Sequence, residues 1–347
     1  MRQILYFLCF CALLVCAQAG EFPYTYKGEK GYSVVIPKKP SRIIIAGGMW
    51  PLPPLIAMLQ GHAKNIVYMP RATKNAIKYS FISEIYPELK HIKDGENENI
   101  EELLALKPDL FMCYGANVKV CEAMRAANVP TIEISVNKWH YNSYETLKGW
   151  IDILAPILDA RERGEKLLAY TKQVEKEVSA KASKEKNKPR AMVIHAFDSE
   201  KSFSLGGIFA DYLLEKTGAI NVISGESMPR ITLEEAYRLN PDIIYINNFN
   251  TLVPEDLIES KLWQPINAVK NKRVYKFPLG AYRPFAPSVD LPIFMEWIYY
   301  HNYPQYEDKE KFLAHTQAFY EEYFGVKLSK KQVERIFTPQ KAAGLLK

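Results

Sequence analysis

Once the first nineteen residues are set aside, the sequence has no long apolar run. No later stretch reaches the roughly 20 apolar residues that a membrane-crossing helix needs, so no such helix is expected there. Cysteine is scarce: five in 347 residues, of which Cys9, Cys11 and Cys16 fall in that leading segment. The remaining pair, Cys113 and Cys121, is spaced too widely for a zinc knuckle. An oxidising compartment would allow these two to close a short loop. They could equally stand as two small buried hydrophobes, and the spacing leaves both readings open. Charge of one sign is in short supply too, with 45 Lys and Arg against 39 Asp and Glu, a net +6. There is no Arg-rich arm and no aromatic RNA-binding motif, so nucleic acid is not an expected partner. Catalytic signatures are missing as well. The chain holds no Gly-x-Ser-x-Gly elbow, no His-Glu-x-x-His and no Cys/His cluster. Gly47-Gly48 and Gly206-Gly207 each precede a helix and would let backbone approach a ligand closely. Neither matches a Walker or dinucleotide fingerprint. Nothing here supports catalysis, and the chain reads as a non-enzyme.

The N-terminus carries Arg2, an apolar stretch over residues 4–16 and Ala17-Gln18-Ala19 before Gly20. That is the pattern of an export signal cut after Ala19. Leu13-Leu14-Val15-Cys16 is a lipoprotein box spoiled by Val15, where a small residue belongs. A soluble periplasmic protein is expected, with a lipid anchor at Cys16 as the alternative.

The hydrophobic content of 48% supports a real core, and its arrangement suggests two related halves around a helical region. Residues 100–111 (IEELLALKPDLF) and 233–244 (LEEAYRLNPDII) share one grammar. Each reads as a short helix, a Pro-Asp turn and a buried strand. Between them, Tyr144, Leu147, Ile151, Leu154 and Leu158 mark one helix face, with a kink or break expected near Pro156. Asp159-Ala160-Arg161-Glu162 fits a capping box that opens a second helix, which Leu167, Thr171, Val174 and Val178 continue. A helix reaching residue 186 would span roughly 40 Å. The expected fold is α/β, with two doubly wound lobes joined by a long backbone helix. The expected boundaries are a signal peptide at 1–19, an N-terminal lobe at 20–143, the backbone region at 144–188, a C-terminal lobe at 189–304 and a helical tail at 305–347. Within the first lobe, residues 75–86 read as amphipathic.

Ligands of open parallel sheets bind beyond the C-terminal ends of the strands. That rule selects loops dense in aromatic and basic residues. The candidates in the first half are Trp50, Tyr68, Arg71, Tyr114, Lys138, His140 and Tyr141. In the second they are His195, Arg230, Tyr282, Arg283 and Phe285. Guanidinium donors suit an anionic ligand and aromatic faces cover apolar surface. Arg71, Lys138 and Arg283 are expected to converge on the ligand. For His140 and His195 the residue type leaves a structural role open.

In their order along the chain, several segments resemble the helical-backbone class of ABC-transporter substrate-binding proteins, the TroA-like carriers of ferric siderophores, haem and cobalamin. They are Pro40-Ser41-Arg42-Ile43-Ile44, Asn99-Ile100-Glu101-Glu102 leading to Lys107-Pro108-Asp109, and Thr232-Leu233-Glu234-Glu235 leading to Asn240-Pro241-Asp242. The stretch from Trp263 to Tyr275 and the Tyr282-Arg283-Pro284-Phe285 segment complete the set. The resemblance implies a ligand held between two lobes, and a permease and ATPase as partners. It also implies one glutamate per lobe, Glu101 and Glu234, docking on permease arginines. A monomer with no intrinsic cofactor is expected, carrying a metal chelate, foremost a ferric complex. The metal's own ligands stay open. Molybdate or tungstate, a nickel complex or cobalamin are alternatives on the same fold. An exported enzyme acting on a metallated cofactor is the alternative of a different class.

Overall fold

The computed structural model of the chain describes residues 22–28, 31–96, 99–115 and 118–344. The leader with its cleavage site and Cys16 lies outside the described residues. An antiparallel hairpin, β1 (Tyr24–Lys27) and β2 (Ser33–Ile36), comes first. It is tied to the first lobe by Tyr26, whose hydroxyl donates to the Glu133 carbonyl at 2.9 Å.

The first lobe alternates strand and helix. Its elements are β3 (Ile43–Ile45), α1 (Leu52–Gln60), β4 (Ile66–Pro70), α2 (Arg71–Ile77), α3 (Ile82–Ile85) and β5 (Lys93–Gly95). They continue through α4 (Ile100–Ala105), β6 (Leu110–Tyr114), α5 (Val118–Ala126) and β7 (Thr131–Ile134). The sheet is parallel throughout, in the order β5-β4-β3-β6-β7. The stretch read as amphipathic over 75–86 is not one helix. Ser80 interrupts it, and its hydroxyl leaves the segment to donate to the Gly280 carbonyl at 2.5 Å. Cys113 and Cys121 are joined by a disulfide that closes the turn between β6 and α5.

The backbone region is two helices, α6 (Ser143–Leu158) and α7 (Arg161–Ala182). Pro156 sits inside α6 and does not break it. The break comes at Asp159, whose backbone is left-handed with φ 56° and whose N–H caps the end of α6. Asp159 therefore closes one helix and does not cap the next; the N-cap of α7 is Ala160, with no side-chain bond. The anticipated stripe of Leu167, Thr171, Val174 and Val178 is buried along α7. At 1.5 Å per residue, the 22 residues of α7 span about 33 Å.

The second lobe contains β8 (Arg190–Ser199), β9 (Ser202–Leu205), α8 (Ala210–Lys216), β10 (Ile220–Asn221) and β11 (Arg230–Ile231). After them come α9 (Leu233–Leu239), β12 (Ile243–Ile246), α10 (Pro254–Ile258), α11 (Asn267–Lys270) and β13 (Val274–Lys276). It does not simply repeat the first. The main order is β11-β9-β8-β12-β13, and β9 runs antiparallel to both β8 and β11. Three helices follow: α12 (Leu291–Asn302), α13 (Lys309–Phe324) and α14 (Lys330–Phe337). The sequence reading has no helix at α12. Its sequence, LPIFMEWIYYHN, is buried over most of its turns and so shows no polar stripe to mark a period.

One apolar cluster runs through both lobes, from Ile45 and Met69 through Trp150 and Leu167 to Tyr245, Phe277 and Tyr320. The tail returns to the first lobe. Phe81 meets Tyr320 at 4.6 Å, and Arg335 pairs with Glu84 at 2.5 Å. The node beneath this return is Asp290. Its carboxylate accepts from the N–H groups of Ala281 and Tyr282, both at 2.9 Å, and from the hydroxyls of Ser288 at 3.1 Å and Tyr320 at 2.6 Å. Burial pushes this carboxyl above the usual aspartate range, with the four donors acting against that shift. Removing the acceptor strands several buried donors. Asp290→Ala is expected to cost at least about 3 kcal/mol in a denaturant melt, with Asp290→Asn losing less. A loss below about 1 kcal/mol would show that the segment holds without the carboxylate.

Candidate functional site

The cleft is built where strands stop. In the first sheet β3 is flanked by β4 and β6, so the connections leave in opposite directions and open a crevice at the strand ends. The loop after β3 carries Gly48 and Trp50. Tyr114 ends β6, and a Cβ at Gly48 would lie 3.4 Å from its ring. In the second sheet Ile246, the last residue of β12, pairs with Ile194 of β8. His195 and the loop of residues 247–250 therefore stand at one level. His195 is not at its strand's end, because β8 continues into the hairpin with β9.

An aromatic wall joins these loops. Phe249 meets Trp50 of the other lobe edge-on at 5.6 Å between ring centroids. His195 lies 5.5 Å from Phe249 and 5.4 Å from Phe285. Phe285 lies 6.2 Å from Phe209, which meets Tyr141 of the first lobe at 5.2 Å. At the rim, His140 Nδ1 is 2.9 Å from the Glu226 carboxylate, a third link between lobes. Tyr141, half-buried, has its phenol pushed up by burial, then by Tyr114 and Glu226 nearby. The links use strained backbone, with φ of 49° at His140, 55° at Tyr141 and 51° at Phe209. Each such non-glycine residue costs on the order of 1–3 kcal/mol and persists where its surroundings demand it, often at ligand clamps.

One positive charge lies against the wall. Arg283 is fully buried; its Nη1 donates to the Ala72 carbonyl at 3.1 Å, and its guanidinium carbon is 5.5 Å from the Phe249 centroid. Tyr282 is buried beside it, and burial raises its phenol. Burial pulls His195 down to about 4, so its imidazole is neutral at neutral pH. Its Nδ1 stands 3.0 Å from the Asn247 amide nitrogen; in this amide orientation Nδ1 accepts and Nε2 carries the proton. The Asn247 side-chain amide oxygen is buried with no hydrogen-bond partner among the described residues.

Of the candidates, the fold brings together Trp50, Tyr114, His140, Tyr141, His195, Tyr282, Arg283 and Phe285. The others lie apart. Tyr68 is buried with Ile44, Phe111 and Cys113 in the separate core beneath α4 and α5. Arg71 is one residue from the carbonyl that Arg283 binds, yet its own guanidinium turns outward to Asp94 at 3.2 Å. Lys138 is exposed above the ring of Trp139 at 5.2 Å. Arg230 is exposed at the start of β11, paired with Asp198 and with the Ser202 hydroxyl at 2.9 Å. The three bases do not converge on one point, since Arg71 has a carboxylate at hand in solvent while Arg283 is enclosed. Among the described residues no group of three or more His, Cys, Asp or Glu could hold a metal ion. Gly207 serves the fold itself. A Cβ there would fall 2.2 Å from the Gly225 carbonyl oxygen, so the glycine admits the protein's own backbone.

Phe249, Phe209, Glu226 and Asn247 were not singled out from sequence. The strand-end rule selects the loop of Phe249 and Asn247, but nothing local distinguishes those residues. Phe209 meets Phe285 and Tyr141, and Glu226 meets His140, all distant in the chain.

The family model described as periplasmic binding protein matches residues 54–279. The chain is 27% identical over 299 residues to the iron(3+)-hydroxamate-binding protein FhuD of Bacillus subtilis, covering 80% of this chain and 86% of that protein. It is 23% identical over 244 residues to the molybdate-binding protein MolA of Haemophilus influenzae, covering 64% of this chain and 69% of that one. A solved periplasmic solute binding protein from Veillonella parvula superposes with a TM-score of 0.78 at 27% identity, covering 90% of this chain and 96% of that chain.

The Phe249 loop rests on a buried lysine. Lys276 Nζ donates to the carbonyls of Asn250 at 2.9 Å and Leu252 at 2.5 Å. Burial pulls its pKa from 10.5 down to about 7, with Asp256 opposing. Between about pH 7 and 10.5 the unfolded chain thus binds the extra proton, so stability from this group rises with pH across that window. It is lost as pH falls through the folded value. Thermal melts should show wild type gaining on Lys276→Met between pH 7 and pH 10. Parallel curves would mean that Lys276 keeps an ordinary lysine pKa in the fold.

Proposed function

The chain belongs to the periplasmic binding protein family, the solute carriers of ABC importers, and from that premise we propose that it captures a ferric chelate between its lobes. It then hands the complex to an inner-membrane permease and its ATPase. In this reading the protein is an exported monomer and catalyses no reaction. Among the described residues no helix is long and apolar enough to cross a membrane.

The observation that carries the reading is the aromatic wall over one enclosed guanidinium. Trp50, Phe249 and His195, all part-exposed and backed by buried Phe285, offer ring surface to the organic shell of a chelate. Arg283, enclosed behind them, places a fixed positive charge near its anionic groups. The named ligand of the Bacillus subtilis relative supports the same class. Molybdate is the second reading. The Haemophilus influenzae relative and the buried Arg283 favour it, but a hydrated oxyanion leaves the rings without use.

Tryptophan fluorescence titrations with a ferric trihydroxamate, a ferric tricatecholate and sodium molybdate separate these readings. A ferric chelate is expected to bind. Arg283→Ala should weaken it by about 1–3 kcal/mol, the loss typical of a hydrogen bond to a charged group. Phe249→Ala, at a half-buried position, checks the wall without opening the core. Binding of molybdate alone would install the second reading. Binding of none of them would remove the metal-ligand proposal.

Docking is proposed for Glu101 and Glu234. Each occupies the second position of its helix, α4 or α9, and each is exposed. Neither makes an ion pair among the described residues, whereas neighbouring Glu102 pairs with Lys93 at 3.4 Å and Glu235 closes a capping box. Both helices run back against the parallel strands that follow them, so both first turns sit at the cleft end of their sheets. Exposed pairs are individually weak, so two together supply orientation. Uptake through the transporter should fall partly with Glu101→Ala or Glu234→Ala and further with both, while chelate affinity stays unchanged. Full uptake by the double variant would reject the docking role.

A further inference from the structure

At the end of the spine away from the cleft, α7 stops at Ala182 and α12 at Asn302, and a groove of about 830 Å³ lies between their ends. That volume is in the range of ligand pockets, roughly 300–1,000 Å³. The groove borders Asn187, just before β8 begins, while His195 farther along β8 faces the cleft. The two sites therefore occupy opposite ends of one sheet. We propose that this groove binds an anionic glycan, one whose sugar rings carry carboxylates.

Lys181, Lys184, Lys186 and Lys311 line the groove. None of the four makes an ion pair or a side-chain hydrogen bond among the described residues. Two carboxylates also line it, Glu185 and Asp308, and Asp308 is engaged in capping α13 through the Lys311 N–H at 3.1 Å. Four unpaired ammonium groups against two carboxylates leave the groove positive, and concave positive surfaces concentrate anions.

Tyr299 and Tyr306 are parallel within 6° at 6.3 Å, and Tyr303 lies 5.4 Å from Tyr299. Tyr303 is pinned by its hydroxyl, which donates to the Gly218 carbonyl at 2.6 Å. Tyr306, 51% exposed, presents the open member of this platform. The hydroxyls of Tyr299, Tyr300 and Tyr306 have no hydrogen-bond partner among the described residues. Ring faces cover the C–H faces of sugars, and free phenols and the amides of Asn187 and Gln305 suit sugar hydroxyls.

The lining also decides against a membrane. No Val, Leu, Ile, Met, Phe or Trp is among the twelve residues of the groove. A surface that seats in lipid needs such side chains to bury below the headgroups.

The test uses the full mature protein with trigalacturonate as probe, neutral maltotriose as control and phosphatidylglycerol vesicles as the competing surface. Calorimetry should show trigalacturonate binding, with maltotriose weaker by about tenfold or more. Lys184→Glu/Lys186→Glu should weaken trigalacturonate by about tenfold and Tyr306→Ala by about fivefold, since charge and stacking both contribute. All three residues are exposed, so thermal midpoints should not move. Absence of trigalacturonate binding, or equal binding by the variants, would overturn the proposal. So would loss on charge reversal with no effect of Tyr306→Ala, which marks a mere polyanion surface. Vesicle binding through the same lysines would replace the glycan with a lipid surface.

Discussion

The buried carboxylate of Asp290 is the constraint on which much else rests. The chain leaves β13 in the second lobe and must pass back to the first before α12 begins. A loop making that crossing inside the protein carries backbone donors that have no sheet to satisfy them. Asp290 accepts two of them, from Ala281 and Tyr282, and receives Ser288 and Tyr320 as well. Ser80 completes the crossing from the first lobe through the Gly280 carbonyl. Tyr282, Arg283 and Phe285 belong to this same segment, so the charge and one ring of the cleft are placed by it.

With the crossing tied down, the lobes are held by a shared core and not only by a hinge. The apolar cluster continues from one sheet through α6, α7, α12 and α13 to the other. Small contacts across the cleft then have definite geometry: Trp50 on Phe249, Tyr141 on Phe209 and His140 on Glu226. The second and third rest on left-handed residues. Such strain persists only where surrounding structure imposes it, and here it falls at the meeting of the two lobes. Burial acts on the nearby titratable groups in the same sense, keeping His195 neutral and drawing Lys276 toward neutrality.

Some of the site was open to reading from sequence because strand-end loops follow from the order of strands and helices. That logic selected the loops of Trp50, Tyr114, Tyr141, His195 and Arg283. It could not tell outward-turned bases from inward ones. Arg71 and Arg283 look alike in sequence, yet one meets Asp94 in solvent and the other lies enclosed against Phe249. Tyr68 follows the period of its strand onto the opposite face, where it fills the core under α4 and α5. Asp94 turns Arg71 outward, while the Ala72 carbonyl and the Phe249 ring hold Arg283 inside.

What the sequence determined by itself was local. The helix turns at Asn99 and Thr232, the burial stripe of α7 and the α/β alternation follow from hydrogen-bonding side chains and apolar periods within a few residues. Tertiary structure decided the rest. Asp159 ends a helix instead of starting one. The stretch over 75–86 breaks at Ser80 because Gly280 offers a partner. The helix α12 has no visible period because it is enclosed by α7 and the second lobe. β9 turns antiparallel, and the aromatic wall forms from residues nearly two hundred positions apart, as Trp50 and Phe249 are. Local pattern can specify an element's type, since its energetics close within one or two turns. Partners that meet only when the lobes close are specified by packing, and no window of sequence contains both.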